Sequence, residues 1–336
     1  MASGGGRRRS QHAERRRRRR LVRRSLVAAG TLVVIAALVV LVLRPPEFLR
    51  ASSPASPTPR TLPTSSAAVP STTPTPTLGS VTEVENELLA RIAVSGDTGM
   101  RNRAQARVAS RMAAEARKEP YDAFVICGDL IYPDGDASLT KRSVIDPYAP
   151  VLEEATLVPA LGNHDVQSGE GMQIMRQLGR DTAWYVEKVG PVRIIVLDSN
   201  RIGNRQQQAW LRDVLAEKQE PGTWTIAALH HAPYSAGDHG SNRAVIRQWV
   251  PLFEQTDVPL VVAGHDHDYQ RSKELDGITY IVSGGGAKLR PTGRESFTAV
   301  SASKLHYTDL MVYEDRIEGR AIEPDGSTLD EFTIER

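Results

Sequence analysis

Residues 123–132 read AFVICGDLIY, a short apolar run followed at once by Gly128-Asp129 and then by Tyr132. The apolar run predicts a β-strand at Ala123–Cys127. In open α/β sheets the carboxyl ends of the strands form the ligand-binding crevice, and a glycine there lets the backbone turn sharply. The polar residues that follow this strand are therefore candidates for a functional site.

Polar residues follow four other predicted strands in the same way. The strands Arg91–Ser95, Ala155–Leu161, Trp224–Leu229 and Leu260–Ala263 are followed respectively by Gly96-Asp97-Thr98-Gly99, Gly162-Asn163-His164-Asp165, His230-His231-Ala232-Pro233 and Gly264-His265-Asp266-His267. Six of the eight histidines lie between residues 164 and 267. Because residues i and i+2 of an extended segment point to the same side, His265 and His267 could serve one metal or two adjacent metals. Five strand ends thus predict one polar site.

The rest of residues 81–336 alternates further strand and helix candidates. These are strands Val192–Leu197, Thr279–Val282, Asp309–Tyr313 and Arg316–Ile322, and helices Arg101–Lys118, Gln206–Lys218 and Ala244–Thr256. The last helix follows Ser241 and Asn242, which are suitable N-cap residues. No internal repeat and no second Pro/Ser-rich break occurs, so the pattern predicts one α/β domain. Strand–helix alternation alone would indicate a doubly wound sheet.

Composition limits the chemistry of the site. The chain has 336 residues, 40% of them hydrophobic and 24% charged, which excludes wholesale disorder, collagen and coiled coil. Cys127 is the single cysteine, so neither an intrachain disulfide nor a cysteine-based zinc cluster can form. A metal must therefore be held by His, Asp, Asn or Tyr.

In order along the chain, these motifs resemble those of the calcineurin-like metallophosphoesterases, and among them the purple acid phosphatases. The family pattern D-x-G, G-D-x-x-Y, G-N-H-(D/E), V-x-x-H and G-H-x-H is matched over roughly Val81 to Arg336. One departure is Ala227-Ala228-Leu229-His230-His231, where Ala replaces the usual Val and two histidines compete for one role. We favour His231, because it precedes Ala232-Pro233 as the ligand histidine precedes x-Pro in relatives, and regard His230 as its neighbour.

The resemblance implies a four-layer α/β/β/α sandwich with two metal ions at the strand ends. One ion would be held by Asp97, Asp129, Tyr132 and His267, and the other by Asp129, Asn163, His231 and His265, with Asp129 bridging. Fe³⁺ with a divalent ion (Fe, Zn or Mn) is the expected pair, since a phenolate ligand suits ferric iron better than softer divalent ions.

The expected activity is hydrolysis of phosphate monoesters, on small molecules or phosphorylated substrates, by attack of a metal-bound hydroxide. Expected catalytic residues are His164, with Asp165 beside it, and His239, which resembles a substrate-contacting histidine of small purple acid phosphatases. A phosphodiesterase on the same dimetal scaffold is the alternative enzyme. A module that binds phosphate or a partner without catalysis is a further alternative, although such a module would not need every ligand.

The N-terminus carries a basic segment and an apolar one. Residues 1–44 hold twelve Arg against Glu14, so residues 45–336 carry a net charge of −9. The uncharged stretch Ser25–Leu43 would span roughly 28 Å as a helix, enough to cross a bilayer. Residues 1–24 are then a basic cytoplasmic tail, because eleven Arg precede the helix and only Arg44 directly follows it. A cleaved signal peptide is the alternative, and no nucleic acid partner is expected.

A linker separates this predicted helix from the domain. Residues 44–80 are expected to form a disordered linker, since within Pro45–Ser80 lie nine Pro and fourteen Ser or Thr. Such a composition cannot bury a core and favours extended conformations, reaching up to ~110 Å. The sequence therefore predicts a single-pass cell-membrane protein whose catalytic domain is extracytoplasmic.

Overall fold

Residues 87–336 are described by the computed structural model, and their strands form two β-sheets. The strands are β1 (Ala90–Ser95), β2 (Ala123–Ile126), β3 (Thr156–Pro159), β4 (Tyr185–Val189), β5 (Val192–Val196), β6 (Trp224–His231), β7 (Leu260–Gly264), β8 (Tyr269–Ser272), β9 (Thr279–Ser283), β10 (Thr298–Ala302), β11 (Tyr307–Val312), β12 (Arg316–Ile322) and β13 (Thr328–Glu335). The α-helices are α1 (Arg103–Lys118), α2 (Asp146–Leu152), α3 (Gly171–Gln177), α4 (Arg205–Ala216), α5 (Arg243–Gln248) and α6 (Val250–Glu254).

The strand order of each sheet brings the predicted site residues to one edge. The first sheet has the order β13-β12-β11-β1-β2-β3, and the second has β10-β8-β9-β7-β6-β5-β4. β1, β2 and β3 are parallel neighbours in the first sheet, as are β5, β6 and β7 in the second. Their carboxyl ends therefore carry the five polar segments found in the sequence.

Three apolar clusters separate four layers. Val94, Val125 and other residues of the first sheet pack against Ile226 and Val262 of the second. On the outer face of the first sheet, Phe124 and Ile126 pack against α1 and α2. On the outer face of the second sheet, residues of β5, β6 and β7 pack against α4, α5 and α6. The expected α/β/β/α sandwich is confirmed, whereas a single doubly wound sheet is wrong, because the strands divide into two sheets that pack face to face.

Local structure differs from the sequence prediction in a few places. The helix expected at Ala244–Thr256 is two short helices, α5 and α6, with Pro251 at the start of the second. Asn242 caps α5, as expected, by accepting hydrogen bonds from the N–H groups of Ala244 and Val245. Four strands were not predicted, namely β4, β8, β10 and β13. Only Val189 of β4 and Ile334 of β13 are fully buried, so those two strands lack a continuous apolar run.

The predicted cytoplasmic tail, membrane helix and linker, residues 1–80, lie outside the described residues. Within residues 87–336, none of the helices combines the length and the hydropathy that crossing a bilayer requires.

Candidate metal centre

Four of the predicted ligands meet around the hydroxyl of Tyr132. Its oxygen lies 2.8 Å from Asp129 Oδ2 and 3.1 Å from Asp97 Oδ1. The same oxygen lies 3.2 Å from Nε2 of His267, and that nitrogen is 3.4 Å from Asp97 Oδ1. All four side chains are buried. The first sheet supplies three of these donors and the second sheet supplies His267.

The chemistry of this group fits a cation. A phenol has one proton and can donate it to only one of the two carboxylates that its oxygen contacts. Burial and the neighbouring Asp129 charge raise the pKa of Asp97 well above its usual range. Burial and the two carboxylates also raise the pKa of Tyr132 far above its ordinary value. Without a positive charge the group is electrostatically unfavourable, and a metal ion would supply that charge.

A second group of donors converges on the ring of His230. Its Nε2 lies 2.9 Å from Asn163 Oδ1, 3.1 Å from His265 Nδ1 and 3.5 Å from Asp129 Oδ1. The other ring nitrogen, Nδ1, lies 2.8 Å from the carbonyl oxygen of Cys127, which can only accept a hydrogen bond. Nδ1 therefore donates to that carbonyl oxygen, and Nε2 is the ring nitrogen that faces the other members of the group. Asp129 contacts both groups, as a bridging ligand would.

His230, His231 and His265 could together hold one ion, because a ring nitrogen of each lies within 4.8 Å of those of the others. His230 has no exposed surface, and its Nδ1 contacts the Cys127 carbonyl of the first sheet. The register of β6 against β7 shifts between Ala228 and His231, so simple alternation does not decide which histidine faces the site. Nδ1 of His231 lies 2.8 Å from Ser199 Oγ, and the His231 backbone N–H donates to the same oxygen. Which of the two histidines binds the metal stays a prediction, since Ala232-Pro233 favours His231 and burial favours His230. His231 still packs against His265, with ring centroids 4.5 Å apart.

His267 and His231 are held in the neutral form that binds metals. Burial, together with the nearby cations Lys288 and Arg290, lowers the pKa of His267 to about 3. Burial and neighbouring histidines lower the pKa of His231 to about 3 as well. For Asp129, burial alone would raise the pKa, but the His230 ring and the His164 N–H lower it.

Backbone conformation at the strand ends places these ligands. Asp97, Asp129 and His265 have φ values of 58°, 52° and 72°, in the left-handed region that side chains other than glycine rarely adopt. Such conformations each cost about 1–3 kcal/mol and persist only where the surroundings impose them. The two sheets also approach closely here, since a Cβ added to Gly264 would lie 2.6 Å from Asp97 Oδ2. The His265 N–H donates to the same carboxylate oxygen across the sheets, at 2.8 Å.

His164 lies at the rim of the first group. Its ring packs on Tyr132 with centroids 4.5 Å apart, and its Nε2 is 4.0 Å from Asp129 Oδ2. Its Nδ1 contacts the carbonyl oxygen of Pro133, so Nε2 is the nitrogen left for a substrate. The side chain is 32% exposed, unlike the ligands. His164 can therefore reach a substrate without binding a metal.

Asp165 does not share that position, although we grouped it with the catalytic residues. It has no exposed surface, and its carboxylate accepts hydrogen bonds from the backbone N–H groups of Leu130, Ile131 and Gly162. Burial and the Asp129 charge raise its pKa to about 8. These hydrogen bonds tie the loop after β2 to the loop after β3, so the contacts indicate a structural role for Asp165, and its catalytic role stays a prediction.

His239, the remaining catalytic candidate, lies beside the second group. Its ring centroid is 4.1 Å from that of His265 and 6.4 Å from that of His267. Its side chain is partly exposed and contacts Asp266, which sequence reasoning did not single out. The structure thus brings all the predicted ligands and both exposed histidines to one edge of the sandwich.

Known proteins share the sequence pattern of this chain. The family model of the calcineurin-like phosphoesterases matches residues 90–269, more than half of the chain. Purple acid phosphatase 3 of Arabidopsis thaliana is 25% identical over 247 residues, covering 64% of this chain and 68% of that protein. Purple acid phosphatase 7 of the same plant is 26% identical over 215 residues, covering 55% of this chain and 66% of that protein.

Two solved structures share the fold. The purple acid phosphatase PPD1 of yellow lupin seeds superimposes with a TM-score of 0.64 at 18% identity, covering 74% of this chain and 54% of that one. A Plasmodium protein described as the anchor in the inner membrane complex, GAP50, gives a TM-score of 0.65 at 16% identity, covering 73% and 88%. Because one is described as a phosphatase and the other as an anchor, the shared fold does not by itself establish catalysis.

Proposed function

Because the chain belongs to the calcineurin-like phosphoesterase family and is accordingly a hydrolase of phosphoric esters, we propose that it is a dimetal phosphatase acting on phosphate monoesters. The observation that carries this proposal is the pair of donor groups joined by Asp129, one around Tyr132 and one around His230. A protein that had kept the fold without catalysis would have no need of both groups intact. The anchor-like alternative is therefore the weaker one.

The first site would be held by Asp97, Asp129, Tyr132 and His267, and the second by Asp129, Asn163, His230 and His265. When bound, the two ions supply Lewis acidity that polarises phosphoryl oxygens and acidifies water. Two carboxylates and a phenolate at the first site favour Fe³⁺ there, while a neutral amide and two imidazoles at the second favour a divalent ion. Iron is thus the proposed first metal, with Fe, Zn or Mn as its partner.

The protein's own groups would orient the ester and move its proton. His164, which is partly exposed at the rim and has Nε2 available, would give a proton to the leaving oxygen. His239, on the other side of the site, is placed to bind a phosphoryl oxygen. Asp165 keeps the loops bearing Asp129 and Asn163 together, so that the donors stay in register.

Preference for monoesters over diesters rests on positive charge near the site. Lys288 and Arg290 lie close enough to His267 to lower its pKa, and His239 adds a further hydrogen-bond donor. A monoester dianion carries one charge more than a diester, so it gains more from these groups. Phosphodiester hydrolysis on the same scaffold is the alternative that an assay must exclude.

The test uses the purified domain, residues 81–336, with p-nitrophenyl phosphate and bis-p-nitrophenyl phosphate. We expect two metal ions per chain and faster cleavage of the monoester. Asp129→Asn should reduce both metal content and turnover more than any other ligand change, because both ions lose a shared ligand. Faster diester cleavage would make the phosphodiesterase the better assignment, and full activity without metal would refute the dimetal proposal.

We also propose that the domain is held outside the cytoplasm by the helix at Ser25–Leu43. The support is the distribution of Arg residues around that stretch, together with the Pro/Ser/Thr-rich linker that follows it. A linker of this length would let the site reach soluble esters at some distance from the bilayer.

A further inference from the structure

We propose that Asp266 is the residue that positions His239 for substrate, acting through a hydrogen bond to the imidazole and not through a metal. The inference deepens the proposed phosphatase function and rests on it. Asp266 lies between the ligands His265 and His267 in the chain, yet it is absent from both donor groups.

Two hydrogen bonds join His239 to one oxygen of Asp266. Nδ1 of the His239 ring lies 3.0 Å from Asp266 Oδ1, and the His239 backbone N–H donates to the same oxygen at 2.8 Å. A carboxylate accepts hydrogen bonds, so Nδ1 must carry the proton in this pair. As an imidazolium with its Nδ1–H on Asp266, the ring has its Nε2–H left to donate to a phosphoryl oxygen, and the ring is packed against His265.

Asp266 is itself held in place by buried neighbours. Its second oxygen accepts a hydrogen bond from Ser235 Oγ, and that hydroxyl in turn accepts one from Gln270 Nε2 at 2.8 Å. Gln270 Oε1 accepts the Ala236 N–H at 2.7 Å. Asp266, Ser235 and Gln270 are all buried. The carboxylate therefore cannot swing away, and the loop from Ser235 to His239 is fixed around it.

The loop follows the carboxylate so closely that one position requires glycine. A Cβ added to Gly237 would lie 2.5 Å from Asp266 Cγ. The Gly237 N–H donates to Ser235 Oγ at 3.0 Å, which completes the turn around Asp266. A rigid carboxylate at the end of β7 thus determines both the path of the loop and the orientation of the imidazole that the loop carries.

This arrangement gives Asp266 an effect on catalysis without contact to substrate. A histidine free to rotate on an exposed loop would lose conformational entropy when it bound a phosphoryl oxygen, whereas the fixed ring does not. Removing the carboxylate should therefore weaken the same interaction that His239 makes. The two residues should behave as one unit in a double-mutant cycle.

The experiment compares Asp266→Asn, His239→Ala and the double variant in the metal-loaded enzyme. We expect each single variant to lower kcat/KM for p-nitrophenyl phosphate by roughly 10- to 100-fold, the loss typical of one hydrogen bond to a charged group. The double variant should be no more than about 3-fold worse than either single one. Each should retain two metals per chain, and the ratio of monoester to diester cleavage should fall equally in all three.

Asp268→Asn is the matched control, because Asp268 is also buried after β7 and makes no direct hydrogen bond to His239. The asparagine keeps an oxygen that can accept from Gln270 Nε2, so the contacts that hold Asp266 are retained. Asp268→Asn should leave the monoester preference unchanged. Ser235→Ala, which removes one hydrogen-bond donor to Asp266, should lower kcat/KM and the monoester preference less than Asp266→Asn does. The proposal would be overturned if the losses of kcat/KM in Asp266→Asn and His239→Ala multiplied in the double variant. It would also be overturned if excess metal restored the full kcat/KM of Asp266→Asn.

A nitrogen-15 spectrum of the imidazoles in the zinc-loaded protein tests the Asp266–His239 contact independently of the proposed activity. The His239 ring should be protonated at Nδ1 in the unmodified protein, and that signal should shift in Asp266→Asn but not in Asp268→Asn. If the protein cleaves no phosphate ester, the spectrum still decides whether Asp266 orients His239. An unchanged His239 signal in Asp266→Asn would refute the positioning role even in an active enzyme.

Discussion

Replacing His230 by alanine should weaken the second metal site severely, whereas the same change at the adjacent His231 should not. Nε2 of His230 lies 2.9 Å from Asn163 Oδ1 and 3.1 Å from His265 Nδ1, inside the donor group. His231 instead has its Nδ1 on Ser199 Oγ. The two variants remove the same atoms from neighbouring positions of one strand, so each controls for the other.

The expected magnitudes follow from these positions. Loss of an outer partner of a metal ligand typically costs about 10- to 100-fold in affinity, and loss of a direct ligand should cost at least the upper end of that range. We expect roughly 100-fold weaker binding at one site in His230→Ala, which corresponds to about 2.7 kcal/mol. For His231→Ala, which loses only ring packing and the Ser199 contact, the loss should be about 10-fold or less.

His230→Ala also leaves the buried Cys127 carbonyl without its donor, which costs about 1–3 kcal/mol whether or not metal is bound. Denaturant unfolding with a chelator and with excess zinc separates the two effects. The difference between the two conditions measures metal linkage alone, and it should shrink by about 2.7 kcal/mol in His230→Ala at high metal. If His231→Ala reduced this difference more than His230→Ala, the ligand assignment would be reversed.

Three other predictions concern catalysis, iron and pH, and one concerns topology. His164→Ala should lower turnover by roughly 10²–10⁴ while keeping two metals, and lost metal would instead make it a ligand. Tyr132→Phe should abolish a visible charge-transfer band of the iron-loaded protein, and a colourless, fully active protein containing only Mn or Zn would refute the phenolate–iron assignment. Burial lowers the pKa of His306 to about 4, below its unfolded value near 6.5, so stability should be complete above pH 6.5 and fall by about 3 kcal/mol toward pH 4. Denaturant unfolding of His306→Gln should show a shallower fall, and equal slopes would refute this assignment. Protease added to intact cells should release an active domain, and activity protected until lysis would contradict the proposed topology.

Much of the site was predictable because its residues stand at strand ends. Chain position alone showed that Asp97, Asp129 and His265 follow buried strands, and their proximity then follows from parallel pairing. The division into two sheets was not predictable from strand–helix alternation, since both arrangements use the same strands. The resemblance to a family, and not the pattern of elements, predicted the sandwich.

The sequence did not predict which face of β6 carries His230 and which carries His231. Ile226 and Ala228 face the other sheet, and Ala227 and Leu229 face the helices, but all four are apolar and buried. Without a polar face, the sequence gives no sign of which side each histidine takes. The contact between Asp266 and His239 was also not predictable, because His239 lies 27 residues away on a loop whose path the sequence pattern does not determine.

The division of ligands between the sheets has a consequence for the folded chain as a whole. Asp97 and Asp129 extend from one sheet, while His230, His265 and His267 extend from the other. Bound ions would therefore act as cross-links between the two halves of the sandwich, the first one closing a loop of 135 residues between its ligands Tyr132 and His267. A chain with only Cys127 cannot make such a connection with a disulfide. For this protein a chelator should act as a reducing agent acts on a disulfide-linked domain, by restoring conformational freedom to the unfolded chain.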